Sequence, residues 1–364
     1  MTLLAPAPRT LTGAAETIEV DLVAVLDRLE RWFDERTPHA GAAGPAVTSL
    51  WAAARLETRG GKKLRPRLVL AAFHGLGGGA SHRAAAIETA AAYELLHTAF
   101  LLHDDVIDGD TVRRGRPNLV GRLAEEASEG TDAAGAERWG RAAAILAGDL
   151  LLHGAQHLIA RLDLDAARRI RLLDALDECV RTTAAGEASD VAFETGAEMP
   201  SLAASLRMAE QKTAVYTFEA PLVAGAVLAG AGHDAVAALA DYGRDVGTAF
   251  QLRDDLLGVF GDERATGKST LADLASGKST PLVAWAREHA GDELDAVLAT
   301  PGFGPVEAAR ARSILEGSGA RTHVEERIDR LIAGARERLR DGELPGELVA
   351  SLGRIAREAG ERAA

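Results

Sequence analysis

Three carboxylates, Asp104, Asp105 and Asp108, close a largely apolar run that begins at Glu94, and two bases, Arg113 and Arg114, follow five residues later. If the run is helical, Asp104 and Asp108 share one face and Asp105 stands about 100° round from Asp104. Like charges this close repel, and they also meet the negative end of the helix dipole, so the cluster costs stability unless a cation neutralises it. Oxygen ligands with room for water suit Mg²⁺. Surface pairing with Arg113 and Arg114 is the plain alternative for this cluster taken alone. A second pair, Asp254 and Asp255, weakens that alternative, because it too lies in an apolar helical pattern with Gln251 one turn earlier on the same face.

Bases that could meet an anionic ligand fall in four places: Lys62 with Arg65, Arg113 with Arg114, Lys212, and Lys268 with Lys278. Each alone reads as a solvated charge. Several sit in glycine-rich loops, where flexible backbone and its N–H groups suit phosphate contact. The stretch from Gly261 to Ser269 imitates a nucleotide-binding loop, but five residues rather than four separate Gly261 from Gly267, and no strand–helix–strand pattern surrounds it. On the first acidic helix, His97, Phe100, Asp104 and Asp108 lie within about 40° of one line, so an apolar floor runs up to an acidic mouth.

The elements that position these residues are helices. Apolar residues recur at helical spacing over Glu16 to Glu35, around Leu50 to Leu56, over Arg67 to Leu76, and in one long helix from Ser81 to Asp108. Residues 125 to 138 read as a surface loop. Helix resumes from Trp139 to Leu162, then over 164–194, 201–228 and 234–260, with shorter helices beyond. No stretch sustains period-two alternation, so the fold class is all-α. The 364 residues fit one large helical domain over 16–364 after a tail at 1–15. A net charge of -13 argues against nucleic acid as the main partner. Cys179, the single cysteine, excludes an internal disulfide and suits a reducing cytoplasm. The apolar start at Met1 is too short for a signal peptide or a membrane span, and no integral membrane segment is expected.

In combination and in order, Gly60-Gly61-Lys62-Lys63-Leu64-Arg65-Pro66, Asp104-Asp105-Val106-Ile107-Asp108, Arg113-Arg114-Gly115-Arg116-Pro117, Lys212-Thr213 and Phe250-Gln251-Leu252-Arg253-Asp254-Asp255 make the sequence resemble the trans-isoprenyl diphosphate synthases. The resemblance is close over about residues 55 to 285. It implies a helical bundle around a central apolar substrate cavity, a homodimer, and two substrates, an allylic diphosphate and isopentenyl diphosphate. It further implies three Mg²⁺, two on Asp104 and Asp108 and a third on Asp254, with Asp105 and Asp255 in support. Arg113, Lys212 and Lys268 would grip the allylic diphosphate, and Lys62, Arg65, His97 and Arg114 the isopentenyl diphosphate. Thr213 and Gln251 match positions near the reacting allylic carbon. The implied reaction is ionisation, condensation and proton loss, with the metals and bases stabilising the departing diphosphate.

One departure from the family pattern is Gly258, where the second motif usually ends in aspartate. The third metal is therefore expected mainly on Asp254 and water, Asp262 lying about 10 Å further on if the helix continues. Product length should follow from Ala99 and Phe100 below the first aspartates. Small at one and large at the other points to geranylgeranyl diphosphate, with farnesyl diphosphate as the rival. A terpene cyclase on the same scaffold would not need Lys62, Arg65, His97 and Arg114, and a non-catalytic subunit would not need an intact first acidic motif.

Overall fold

Apolar spacing sets the first helix, α1 (Leu11–Asp34), on which Leu22, Val25, Leu29, Trp32 and Phe33 are buried while Val20 and Val23 face outward. The computed structural model describes residues 11–113, 115–261, 274 and 278–361, with side chains from 16 to 360. Helix α1 starts five residues before the expected Glu16; residues 1–10 lie outside the described residues. After it come α2 (Thr37–Ala42), α3 (Pro45–Glu57), α4 (Leu64–Gly75) and α5 (Ala80–Ile107). A minimal antiparallel hairpin, β1 (Val112–Arg113) and β2 (Arg116–Pro117), supplies the only strands among the described residues. Then follow α6 (Leu119–Ala127), α7 (Ala133–Ala160), α8 (Ala166–Glu194), α9 (Leu202–Ala209), a π-helical segment π1 (Glu210–Glu219), α10 (Ala220–Ala229) and α11 (His233–Phe260). Five more helices are described: α12 (Pro281–Ala290), α13 (Glu293–Leu298), α14 (Pro305–Gly317), α15 (Ala320–Asp341) and α16 (Gly346–Glu361). The all-α class holds.

Two compact units divide the chain. The first takes the residues up to Leu173 together with Ala224–Ala231. Its centre is α5, packed by α7, α4 and α1, with α6 on α7. Close approach needs glycine on α7, where a methyl on Gly154 would overlap the Trp32 ring. Trp32, Phe33 and Trp51 form one aromatic cluster, and the Trp51 indole donates to the Phe33 carbonyl at 3.2 Å. Asp21 is wholly buried, and it is satisfied by His74 at 2.8 Å and Arg83 at 2.7 Å. Helix α7 begins six residues earlier than Trp139 because Asp132 caps it, its carboxylate accepting from the Gly135 N–H at 2.8 Å. By length and composition α7 could cross a membrane, but half of its apolar window is buried in the structure, as in a core helix.

The second unit takes Asp174–Val223 and the chain from Gly232 onward. Here α11 is the central element, packed by π1, α15 and α16. The buried Tyr242 of α11 donates its hydroxyl to the Leu352 carbonyl of α16 at 2.7 Å. Trp285 of α12 lies stacked between two imidazoles, His289 at 3.9 Å and His323 of α15 at 3.7 Å. The single helix expected over 201–228 is instead α9, π1 and α10. Its central ten residues bond with five-residue steps, the Ala220 N–H reaching the Val215 carbonyl. Apolar spacing does not register this one-residue widening.

Candidate functional site

The candidate residues fall into two groups, one in each unit. In the first, the C-terminal end of α5 presents the acids as the helical period requires. Asp108 caps the helix, its N–H on the Asp104 carbonyl at 2.8 Å, so the two side chains stand one turn apart. Asp108 is exposed and Asp104 half-buried at 26%. His97 and Phe100 of the same stripe are half-buried, whereas Thr98, Ala99, Leu102 and Asp105 beside it are fully enclosed.

Asp105 turns inward and meets Arg113. The guanidinium of Arg113 donates to Asp105 at 2.9 and 2.6 Å and to Asp104 at 3.3 Å. Burial pushes the Asp105 carboxyl above the usual carboxylate range, against the pull of Arg113 and Asn118 toward the charged form. Burial also works against the charge of Arg113, but Asp105 and then Asp104 outweigh it and hold the guanidinium above its ordinary range. Asn118 ties the hairpin down twice: its amide donates to the Asp110 carbonyl at 2.9 Å, and its oxygen accepts from Gly121 at 3.0 Å to start α6. Arg113 is thus an ion-pair partner of the acids in this state, as the surface-pairing alternative anticipated, and it is carried on a short tied hairpin. Arg114 lies outside the described residues.

The basic loop before α4 is shaped by backbone sign. Gly60, Gly61 and Lys63 all have positive φ, at 73°, 73° and 50°. The first two are glycines, for which this is cheap; Lys63 is not. Its ammonium is buried, donating to the Thr58 carbonyl at 2.5 Å and to Glu94 of α5 at 2.7 Å, with both side chains 6 to 7% exposed. The loop is therefore clamped to α5 one turn before His97. Lys62 remains exposed and Arg65 is buried on the first turn of α4. Sequence reasoning singled out Lys62 and missed Lys63. The available signal was Glu94 itself, a carboxylate inside the apolar run Tyr93-Glu94-Leu95-Leu96, which requires a partner.

In the second unit, Lys212 and Thr213 sit in the first turn of π1. The Lys212 ammonium is held by Asp190 at 2.6 Å and Glu187 at 3.0 Å, both on α8. Thr213 donates to the Gln251 side-chain oxygen at 2.7 Å, and the Gln251 amide donates to Asp255 at 2.8 Å. Asp254, next to that chain on α11, is half-buried. Glu187 and Asp190 went unremarked in the sequence, although acids three apart on a helix share a face. Helix α11 ends at Phe260, and Gly261 is extended. Asp262 and Lys268 lie outside the described residues.

Glu219 closes π1. One of its oxygens accepts from Arg244 at 2.6 Å, while the other is buried without a hydrogen bond. Burial pushes the Glu219 carboxyl up to about 7; Arg244 opposes the rise, and Glu210, Asp241 and Glu178 add to it. A folded value above the ordinary 4.5 favours the fold fully below that pH and loses its contribution as pH rises through about 7. Between pH 5 and pH 8, Glu219→Gln should therefore gain about 1–3 kcal/mol relative to the native chain in urea unfolding. A difference that stays constant with pH would show that Glu219 is ionised throughout.

Against known proteins, residues 50–309 match the family model described as polyprenyl synthetase. The geranylgeranyl diphosphate synthase of Mycobacterium tuberculosis is 36% identical over 323 residues, which cover 85% of each chain. A short chain isoprenyl diphosphate synthase from Methanothermobacter thermautotrophicus is 34% identical over 274 residues, covering 75% of this chain and 78% of that one. Among solved structures, a geranylgeranyl pyrophosphate synthase from Corynebacterium glutamicum, complexed with isoprenyl diphosphate and magnesium, superposes with a TM-score of 0.85 at 32% identity, covering 93% of this chain and 98% of that one. The family match takes in the basic loop, both acidic motifs and the Lys212-Thr213 turn, the same residues that the helices hold in place. The chain belongs to the polyprenyl synthetase family.

Proposed function

We infer that this trans-prenyltransferase condenses isopentenyl diphosphate with allylic diphosphates and makes geranylgeranyl diphosphate. The observation that carries the reading is the end of α5, where Asp104 and Asp108 stand one turn apart while Asp105 is turned inward onto Arg113. These are hard oxygen donors in the arrangement that suits Mg²⁺, and we assign two ions to Asp104 and Asp108 and a third to Asp254. Bound Mg²⁺ supplies positive charge against which a departing diphosphate is stabilised.

The chain's own residues do the rest. Lys212 exchanges Asp190 and Glu187 for the allylic diphosphate, and Arg113 and Lys268 contribute further charge to it. Lys62, Arg65, His97 and Arg114 take the isopentenyl diphosphate. Thr213, oriented by Gln251 and Asp255, lies beside the allylic carbon. The allylic C–O bond breaks to give an allylic cation and diphosphate, the isopentenyl alkene forms the new C–C bond to that cation, and the proton lost from the isopentenyl unit passes to the released diphosphate. Developing charge is met by fixed groups, which is electrostatic catalysis.

Partners and setting follow the same reading. A homodimer is proposed, supported by the exposed apolar residues Ile145, Leu146 and Leu150 of α7, and a cytoplasmic setting is proposed with it. A solution mass of a single chain would remove the dimer.

Incubation with Mg²⁺, isopentenyl diphosphate and each of dimethylallyl, geranyl and farnesyl diphosphate, followed by sizing of the products, tests the function. Geranylgeranyl diphosphate is the expected product, and Phe100→Ala should lengthen it by one or more isoprene units. A cyclic hydrocarbon from an allylic substrate alone would overturn the reading, and an unchanged product from Phe100→Ala would remove Phe100 from the pocket floor.

A further inference from the structure

We propose that three glycines, Gly186 on α8 and Gly243 and Gly247 on α11, are positioning residues whose missing side chains seat π1 and so fix Lys212 and Thr213. The proposal rests on the reading that these two residues meet the allylic substrate. A methyl on Gly186 would lie 2.8 Å from the Lys212 Cα and closer still to its backbone nitrogen. One on Gly247 would lie 2.5 Å from the Ala214 Cα, and one on Gly243 would lie 2.6 Å from the Glu219 Cα. All are far inside the carbon–carbon contact distance of about 3.5–4.0 Å. The atoms met are backbone, which cannot swing aside as a side chain can.

Helix propensity makes these positions informative. A glycine within a helix costs about 1 kcal/mol relative to alanine, so three in the interiors of two helices need a reason. The π-helical backbone provides one: it is wider than an α-helix and is seated at its beginning, middle and end. The spacing on α11 extends the point. Gly243, Gly247, Gln251 and Asp255 follow one another every four residues, so one face first admits π1 and then binds the Thr213 hydroxyl through Gln251. On α8, Gly186 receives the Lys212 backbone while Glu187 and Asp190 hold its ammonium. One helix thus sets both ends of the same lysine.

Kinetics of Gly186→Ala, Lys212→Ala and the double variant, each checked for folding by far-UV circular dichroism, test the proposal. Gly186→Ala should lower kcat by about 10–100-fold through displacement of Lys212. It should raise KM for the allylic diphosphate and leave KM for isopentenyl diphosphate unchanged, a split that general loosening would not produce. On the Lys212→Ala background the same substitution should add less than about threefold, because its target is gone. Native kinetics for Gly186→Ala, or a full multiplicative loss on top of Lys212→Ala, would overturn the slot. Native kinetics for Lys212→Ala would instead overturn the site reading beneath it. If Gly186→Ala does not fold, Gly247→Ala with a Thr213→Ala background puts the question at the next turn, with the same pattern expected and the same outcomes against it.

Discussion

Asp104→Ala is expected to lower kcat by on the order of 10³ while leaving the protein as stable as before, or more so. The two effects have one cause. Asp104 and Asp108 share a face at the C-terminal end of α5, where the helix dipole and mutual repulsion both disfavour them. Removing one carboxylate relieves that repulsion and at the same time removes a metal ligand. Arg113 loses only its longer contact, at 3.3 Å, and keeps Asp105. The measurement pairs single-turnover rates at saturating Mg²⁺ with urea unfolding. A rate within tenfold of native would exclude Asp104 as a ligand, and a marked loss of stability would show that it serves the fold.

Glu94→Ala is expected to have the opposite signature, a loss of about 3–5 kcal/mol in unfolding free energy, because it leaves the buried Lys63 ammonium without its counter-charge. Lys63 also holds a positive φ that costs a side-chain-bearing residue roughly 1–2 kcal/mol, and its two bonds keep it there. The paired replacement Lys63→Met with Glu94→Leu should recover most of the stability, since an apolar pair of similar volume needs no partner. It should not recover activity: the loop that carries Lys62 and leads to Arg65 would no longer be pinned. KM for isopentenyl diphosphate is the quantity to follow. A loss below about 1 kcal/mol for Glu94→Ala would show that water reaches the pair.

These two cases mark what the sequence disclosed and where it fell silent. Asp104, Asp108 and the shared face of Gln251 and Asp255 were legible because helical period converts spacing into direction, and the acids sit in long apolar runs, whereas Thr213 entered only through the family resemblance. The limits of α5, α8 and α11 came through within two residues for the same reason. The start of α7 did not, because its cap, Asp132, sits among small residues that resemble a loop. Lys63 and Glu94 are 31 positions apart, and only tertiary packing joins them. Segment π1 stayed hidden because widening a helix by one residue leaves composition and apolar content untouched.

Trp285, held between His289 and His323, gives the molecule an optical property. The other three tryptophans, Trp32, Trp51 and Trp139, belong to the first unit, so Trp285 is the sole indole of the second. Protonated imidazole quenches indole emission on contact, and burial holds the His323 ring below its usual pKa, so its protonation is expected to quench Trp285 only on acidification. The emission of the second unit is expected to fall as the pH is lowered. A single emission spectrum followed through unfolding can therefore separate the half that carries Asp104 from the half that carries Lys212.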